Sequence, residues 1–383
     1  MKRPASASSQ EPRALLQLDQ LPDVGPRTIR ALVESFGTAE GALSAPSRLF
    51  TQVAGSAAAR ARGDREVARV VDEALERAGR LGMRLLTWSD SAYPEALLRL
   101  DDPPPVLFLR GRAELLGEGG VSVVGSRRCT ARAKDLARRL GRALGRAGVP
   151  VVSGMALGVD GAAHRGALEA GGVTVAVVGR GADAAYPSSH RRLFEDIVEH
   201  GLVVSEFLPG TLPLPFHFPR RNRIMAALSE SVVVVEAGAR SGALITVKHA
   251  LDVGLDVWAV PGPIDTRACD GSNQLLADGA LPLVAIERFV EGVGGVAGVR
   301  SGAEAGVETE GAGNPEETPG RSERTRLAEP ERRLLRSLDA GPLHVDELAA
   351  AAGLDVPLAL ALLVRLELDG AVEQMPGFHF RAA

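Results

Sequence analysis

Cys129 and Cys269 are the only cysteines in 383 residues, too few for a disulfide framework or a four-ligand zinc site. Lysine is nearly missing as well, occurring only at positions 2, 134 and 248, so arginine carries almost all the positive charge. No apolar run approaches the roughly 18 residues of a membrane span. The polar opening over residues 1–12 lacks the apolar stretch of a secretory signal. A reducing, cytoplasmic setting is the expectation. His190, His200, His249, His344 and His379 show no ligand spacing to one another or to cysteine. Phosphate-loop, HExxH and GxSxG-triad patterns are missing. No metal, cofactor or catalytic residue is expected.

What is present is an ordinary apolar fraction of 45%, ample for a large core, in a chain long enough for two or three domains. The net charge of −4 hides its distribution. Glutamates at 304, 308, 310, 316, 317 and 323 crowd one Gly- and Ala-rich stretch. Arg127, Arg128, Arg132, Lys134, Arg138, Arg139, Arg142 and Arg146 crowd residues 121–150, with Asp135 the sole acid there. A charge run is usually a solvated helix face, but a local block like this can attract phosphates whatever the total charge.

Composition divides the chain into a disordered start (1–12), a small helical domain (13–80), an α/β core (81–290), a flexible acidic linker (291–328) and a terminal module (329–383). In the helical domain, Leu21-Pro22-Asp23-Val24-Gly25-Pro26-Arg27-Thr28 reads as two helices about a Gly-bearing turn, resembling a helix-hairpin-helix (SAM-like) unit. Val-rich apolar runs at 121–124, 149–152, 173–178, 202–204, 232–235 and 256–260 read as strands buried on both faces. Helical patterns lie between them, near 131–147, 160–170, 190–200, 220–228 and 243–253. This alternation predicts a Rossmann-like, doubly wound, mostly parallel sheet. After Pro330, three helical patterns and a Pro376-Gly377 hairpin predict a winged helix, whose weakly charged last helix suits protein docking better than groove reading.

In such a sheet, ligands sit beyond the carboxyl ends of the strands. There the first core strand ends in Gly125-Ser126-Arg127: a glycine admitting an anion to the backbone, a hydroxyl donor and a bidentate guanidinium. Ser153-Gly154, Gly179-Arg180-Gly181 and the Ser241-Gly242 turn follow later strands, the last leading to Lys248. Several such turns on one edge imply a groove for more than one phosphate. Phe216-His217-Phe218-Pro219-Arg220-Arg221-Asn222-Arg223 sets two aromatic rings beside three arginines in a chain with only 4% aromatics. Base stacking beside a basic groove is how single strands are held without sequence readout. The packed alternative is a helix start capped by charge pairs. Asp160 and His164, four apart, read as a helix cap and a histidine packed on a neighbouring loop rather than as metal ligands. Cys129 lies beside arginines and is a candidate reactive thiol without an evident base.

These pieces together resemble the DNA-processing protein A family (DprA, also called Smf). The resemblance rests on Gly125-Ser126-Arg127, Ser153-Gly154-Met155-Ala156-Leu157-Gly158-Val159-Asp160 with His164, Tyr186-Pro187, Ser205-Glu206 and Phe218-Pro219-Arg220-Arg221-Asn222-Arg223. It continues through Val235-Glu236-Ala237, Ser241-Gly242-Ala243-Leu244-Ile245-Thr246, Val260-Pro261-Gly262 and Gly271-Ser272-Asn273. It implies a non-catalytic homodimer that coats incoming single-stranded DNA during natural transformation and loads the RecA recombinase. By position, Gly125, Ser126 and Arg127 would grip phosphate, and the 218–223 segment would add stacking and charge. Where the family often has a lysine after Tyr186-Pro187, Arg191 or Arg192 would have to serve. Leu275, Leu276 and Leu281 would form the self-association face. A rival resemblance, to nucleotide-hydrolysing phosphoribohydrolases, fails at their Pro-Gly-Gly-x-Gly-Thr-x-x-Glu loop, since Glu236-Ala237-Gly238-Ala239-Arg240-Ser241-Gly242 stands there without the catalytic glutamate.

Overall fold

The computed structural model describes residues 10–301, 329–338, 341–368, 371–375 and 379–382. Contacts divide the chain into two units, residues 1–306 and 307–383.

The first unit opens with helices α1 (Glu11–Asp19), α2 (Pro26–Phe36), α3 (Ala39–Ser44), α4 (Ser47–Ala61) and α5 (Arg65–Arg80). Helix α2 starts on an extended Gly25 with Pro26 in its first turn, where a missing N–H costs nothing. Glu11 and Pro12, expected within the disordered start, are part of α1, and Glu11 is buried. Residues 1–9 lie outside the described set. Leu15, Leu18 and Ile29 share one hydrophobic cluster with Leu107 and Phe108 of the sheet. The helical region is therefore packed into the α/β core.

The sheet is built from β1 (Arg84–Thr87), β2 (Val106–Gly111), β3 (Val121–Val124), β4 (Val151–Ser153), β5 (Thr174–Val177), β6 (Leu202–Ser205), β7 (Ser231–Val234), β8 (Asp256–Ala259) and β9 (Leu281–Pro282). Its order is β1-β2-β6-β5-β4-β3-β7-β8-β9. β3 to β9 run parallel, whereas β1 and β2 are antiparallel additions at one edge. The connecting helices are α6 (Glu95–Leu98), α7 (Ala131–Arg146), α8 (Val159–Glu169), α9 (Arg191–His200), α10 (His217–Ala227), α11 (Ala243–Asp252), α12 (Asp270–Ala277) and α13 (Ile286–Ser301). Strand periodicity sorts the valines between two layers. Val121, Val123 and Val233 pack with Leu140 of α7, Ala163 of α8 and Phe289 of α13, while Val124, Val232 and Val234 join the larger cluster. The strands are legible in sequence because both faces are buried and both must be apolar. Helix α13 extends to Ser301, into the stretch expected as linker from 291; residues 302–328, the rest of that expected linker, lie outside the described set.

The second unit is α14 (Glu329–Ser337), β10 (Leu343–His344), α15 (Val345–Ala352), α16 (Val356–Leu368), β11 (Val372–Met375) and β12 (His379–Ala382), with strand order β10-β12-β11. Leu334, Leu348, Leu363, Leu366 and Phe380 form its core. His344 and Glu347 close a reciprocal capping box at the start of α15. Three helices and a small antiparallel sheet make a winged helix, as the sequence predicts. Among the described residues no helix is long and apolar enough to cross a membrane.

Candidate nucleic-acid interface

The chain passes from β3 outward through β4, β5 and β6, then returns to lay β7 on the other side of β3. Neighbouring loops at this reversal leave in opposite directions and open a crevice beyond the strand ends. A cleft of about 790 Å³ lies there. Its wall after β3 is Gly125, Ser126, Arg127 and Arg128, and its wall after β7 is residues 238–243. Ala156 and Asp160 contribute from beyond β4, with Phe218, Arg221 and Asn222 from α10. Five arginines line it (127, 128, 221, 240 and 267) against two carboxylates, Asp160 and Asp270.

Glu236 fixes the first wall. Its carboxylate accepts from the Thr130 amide at 2.9 Å and the Thr130 hydroxyl at 2.6 Å, and its carbonyl accepts from the Ser126 amide at 2.7 Å. Thr130 in turn caps α7. A Cβ on Gly125 would lie 2.6 Å from Val159 and 2.9 Å from the Glu236 carbonyl, so only glycine fits the wall where it crosses. Arg127 stacks its guanidinium 4.9 Å from the centre of the Phe218 ring, which also meets Tyr186 at 5.6 Å. An arginine on an aromatic face and a second ring beside it form a platform for a base next to a phosphate ligand.

Arg221 is 4% exposed yet lines the cleft. It donates to the Val177 carbonyl and lies against Gly154, whose missing side chain makes room for it. Burial pushes its guanidinium down to about 10, with the Asp160 charge opposing the shift and Arg127 adding to it. Asp160 accepts from the amides of Gly154 at 3.2 Å and Ala156 at 3.3 Å, and burial raises its carboxyl above the usual range. Helix α8 is capped by Gly158, so Asp160 secures the 154–156 loop instead of the helix end expected for it. His164 pairs through Nδ1 with the Thr174 hydroxyl of β5 at 2.6 Å, on a strand and not the expected loop, and burial lowers it to about 3. It is a neutral core residue. Burial and the neighbouring Glu236 raise the Cys129 thiol, which removes the ground for thiolate reactivity. Among the described residues no group of three or more His, Cys, Asp or Glu could hold a metal ion.

Gly125, Ser126, Arg127, Phe218, Arg221, Asn222, Ser241 and Gly242 are thus brought together. Other expected site residues lie elsewhere. Arg223 is buried in ion pairs with Glu206 at 2.8 Å and Asp102 at 3.0 Å. Arg220 pairs with the same Glu206 at 3.0 Å and with Asp19 of α1 at 3.6 Å. Both arginines are neutralised within the fold. Ser153 donates to the Val123 carbonyl at 2.7 Å inside the sheet. Phe216, Arg191 and Lys248 are exposed outside the cleft lining. Of the expected pairing face, Leu281 is 40% exposed on the edge strand β9, Leu276 is half-buried, and Leu275 is half-buried against the core. Arg128, Arg240, Arg267 and Tyr186 line the cleft without having been singled out as ligands. Three arrive on loops and Arg267 on a short 3-10 turn, where no periodicity marks them.

A doubly wound α/β protein with an arginine-lined crevice at its switch point, followed by a winged helix, is the class that fold and site define. Comparison with known proteins narrows it. The family model of DNA recombination-mediator protein A matches residues 84–294, and that of the DprA winged helix domain matches residues 317–377. Protein Smf of Synechocystis sp. is 31% identical over 96% of this chain and 97% of its own length. Protein Smf of Escherichia coli is 36% identical over 76% of this chain and 75% of its own. The solved DNA processing protein A of Streptococcus pneumoniae superposes with a TM-score of 0.64 at 32% identity, covering 75% of this chain and 98% of that one. The protein of Helicobacter pylori, whose structure is described as revealing a single-stranded DNA binding mode, gives 0.50 at 30% identity, with 55% and 95% covered. The chain belongs to the DNA recombination-mediator protein A (DprA/Smf) family. Its role is in DNA processing.

Proposed function

We propose that the cleft binds single-stranded DNA without sequence preference and that the protein, acting in the cytoplasm as a homodimer, delivers the coated strand to the RecA recombinase, including strands taken up in transformation. The observation carrying this reading is the Arg127–Phe218 stack over a floor containing the buried Arg221 charge. A flexible single strand can offer a base to the ring and phosphates to the guanidiniums together, which a stacked duplex cannot. The H. pylori relative's described mode supports the same ligand class. The exposed Leu281 on the edge strand β9 supports pairing of copies through that edge.

The test is fluorescence anisotropy with labelled oligothymidine and with a duplex of equal length. Single strands bind more tightly, affinity falls with salt as counterions are released, and Arg127→Ala lowers it by about 10-fold or more, as expected for a charge-assisted contact of about 1.5–3 kcal/mol. Equal binding of duplex and single strand, or an unaffected variant, overturns the reading. Release of free adenine from AMP would favour the hydrolase instead.

A further inference from the structure

We propose that α7 carries a second nucleic-acid site, an arginine track that takes the phosphodiester backbone of the same single strand where it leaves the cleft; this rests on the cleft binding single-stranded DNA. Arg132, Arg139 and Arg146 are exposed and stand seven apart on α7. Seven residues make nearly two turns, drifting by only about 20°, so the three form one stripe, with about 10 Å of rise between neighbours. Ala137 and Leu144 face away from the stripe, into the core.

The basic residues of α7 divide into two sets. Arg138 and Arg142 both reach Glu169 of α8, Arg142 at 2.8 Å. Glycine makes that pairing possible: a Cβ on Gly141 would lie 2.2 Å from the Ala163 carbonyl, and one on Gly166 would lie 2.0 Å from the Arg138 carbonyl. Helix α8 therefore comes close enough for Glu169 to neutralise one flank. Among the described residues, Arg132, Arg139 and Arg146 form no such ion pair. Asp135 shares this face, three residues after Arg132 and four before Arg139, but three arginines against one carboxylate leave the row a net positive field for a polyanion.

The stripe also starts at the cleft. Arg128 lines the cleft four residues before Arg132. From there the row runs about 21 Å down the helix, at about 1.5 Å per residue. A strand too short to leave the cleft cannot touch its far end.

That length dependence is the test. The full chain and its Arg139→Ala/Arg146→Ala variant are titrated with oligothymidine of about 6 and about 30 nucleotides over a range of salt. With the long strand, the slope of log affinity against log salt becomes shallower by about 1.4, two contacts at about 0.7 each. With the short strand, affinity and slope stay as in wild type. The same charge change placed elsewhere, Arg48→Ala/Arg60→Ala on α4, leaves both strands unaffected. An unaltered long-strand slope, equal flattening with both lengths, or equal flattening in the α4 variant overturns the track. Failure of the wild type to bind the short strand instead overturns the cleft reading itself.

Discussion

Gly154 shows how one missing side chain sets the floor of the cleft. A Cβ there would lie 2.2 and 2.3 Å from the two terminal nitrogens of Arg221. That guanidinium is hydrogen-bonded to Val177 and hemmed in by burial, so it cannot move inward. Gly154→Ala is expected to evict it and weaken short oligothymidine by about 10- to 100-fold, the equivalent of one charge-assisted contact. Ser153→Ala, one residue earlier, removes only an interior hydrogen bond. It is expected to cost about 1 kcal/mol of stability in urea unfolding while leaving affinity alone. Equal loss of binding in both variants would mean that the loop, not Arg221, is what matters. Neither distinction is legible in the sequence, where the two residues form one anion-competent turn. The run from Arg220 to Arg223 is ambiguous for a related reason. At about 100° per helical residue, Arg220 and Arg223 fall close together while Arg221 is turned away. Adjacent letters therefore serve different faces, and only Arg221 and Asn222 reach the cleft. Phe216 and Phe218 separate likewise, into an exposed ring and a lining ring.

Helix α10 joins two environments, and this is an element-scale property. One face lines the cleft. The other is held by Glu206, which accepts Arg220 and Arg223 together, and by Asp19 from α1. Burial raises the Asp19 carboxyl to about 6, a shift that Arg220 opposes and Glu206 reinforces. A carboxyl raised in the folded state binds its proton more tightly there than in the unfolded chain. Its contribution is therefore present at low pH and is lost as pH rises from the unfolded value toward about 6. The stability difference between wild type and Asp19→Asn is accordingly expected to move against wild type between about pH 4 and pH 7, then level off. Urea midpoints of both proteins across that range would check it, and a constant difference would show that Asp19 does not titrate there. The strands around this helix could be read from sequence because continuous valine runs leave few alternatives. The ionic network could not, since its members, at positions 19, 102, 206, 220 and 223, are scattered along the chain and meet only through the fold.

At the scale of the whole molecule, every residue that lines the cleft lies between positions 124 and 270, and every described member of the winged-helix core lies after position 333. The floor is held from within the first unit: Glu236 on Thr130, Asp160 on the 154–156 loop, Glu206 on α10. The helical region belongs to the same support, because its leucines and the edge strands form one cluster. Removing residues 1–80 would bare Leu107 and Phe108 and take Asp19 from Arg220, so an isolated α/β core is the wrong fragment to test. A chain ending at Ser301 keeps each of these contacts. It is expected to unfold cooperatively and to bind short oligothymidine with the affinity of the full chain. Any activity that needs the winged helix, such as engagement of a protein partner, would be lost without a change in DNA affinity. Anisotropy titration of the shortened chain beside the full one separates the two roles. A large fall in short-strand affinity would mean that the second unit contributes to the cleft directly, and the division of labour drawn from these contacts would have to be abandoned.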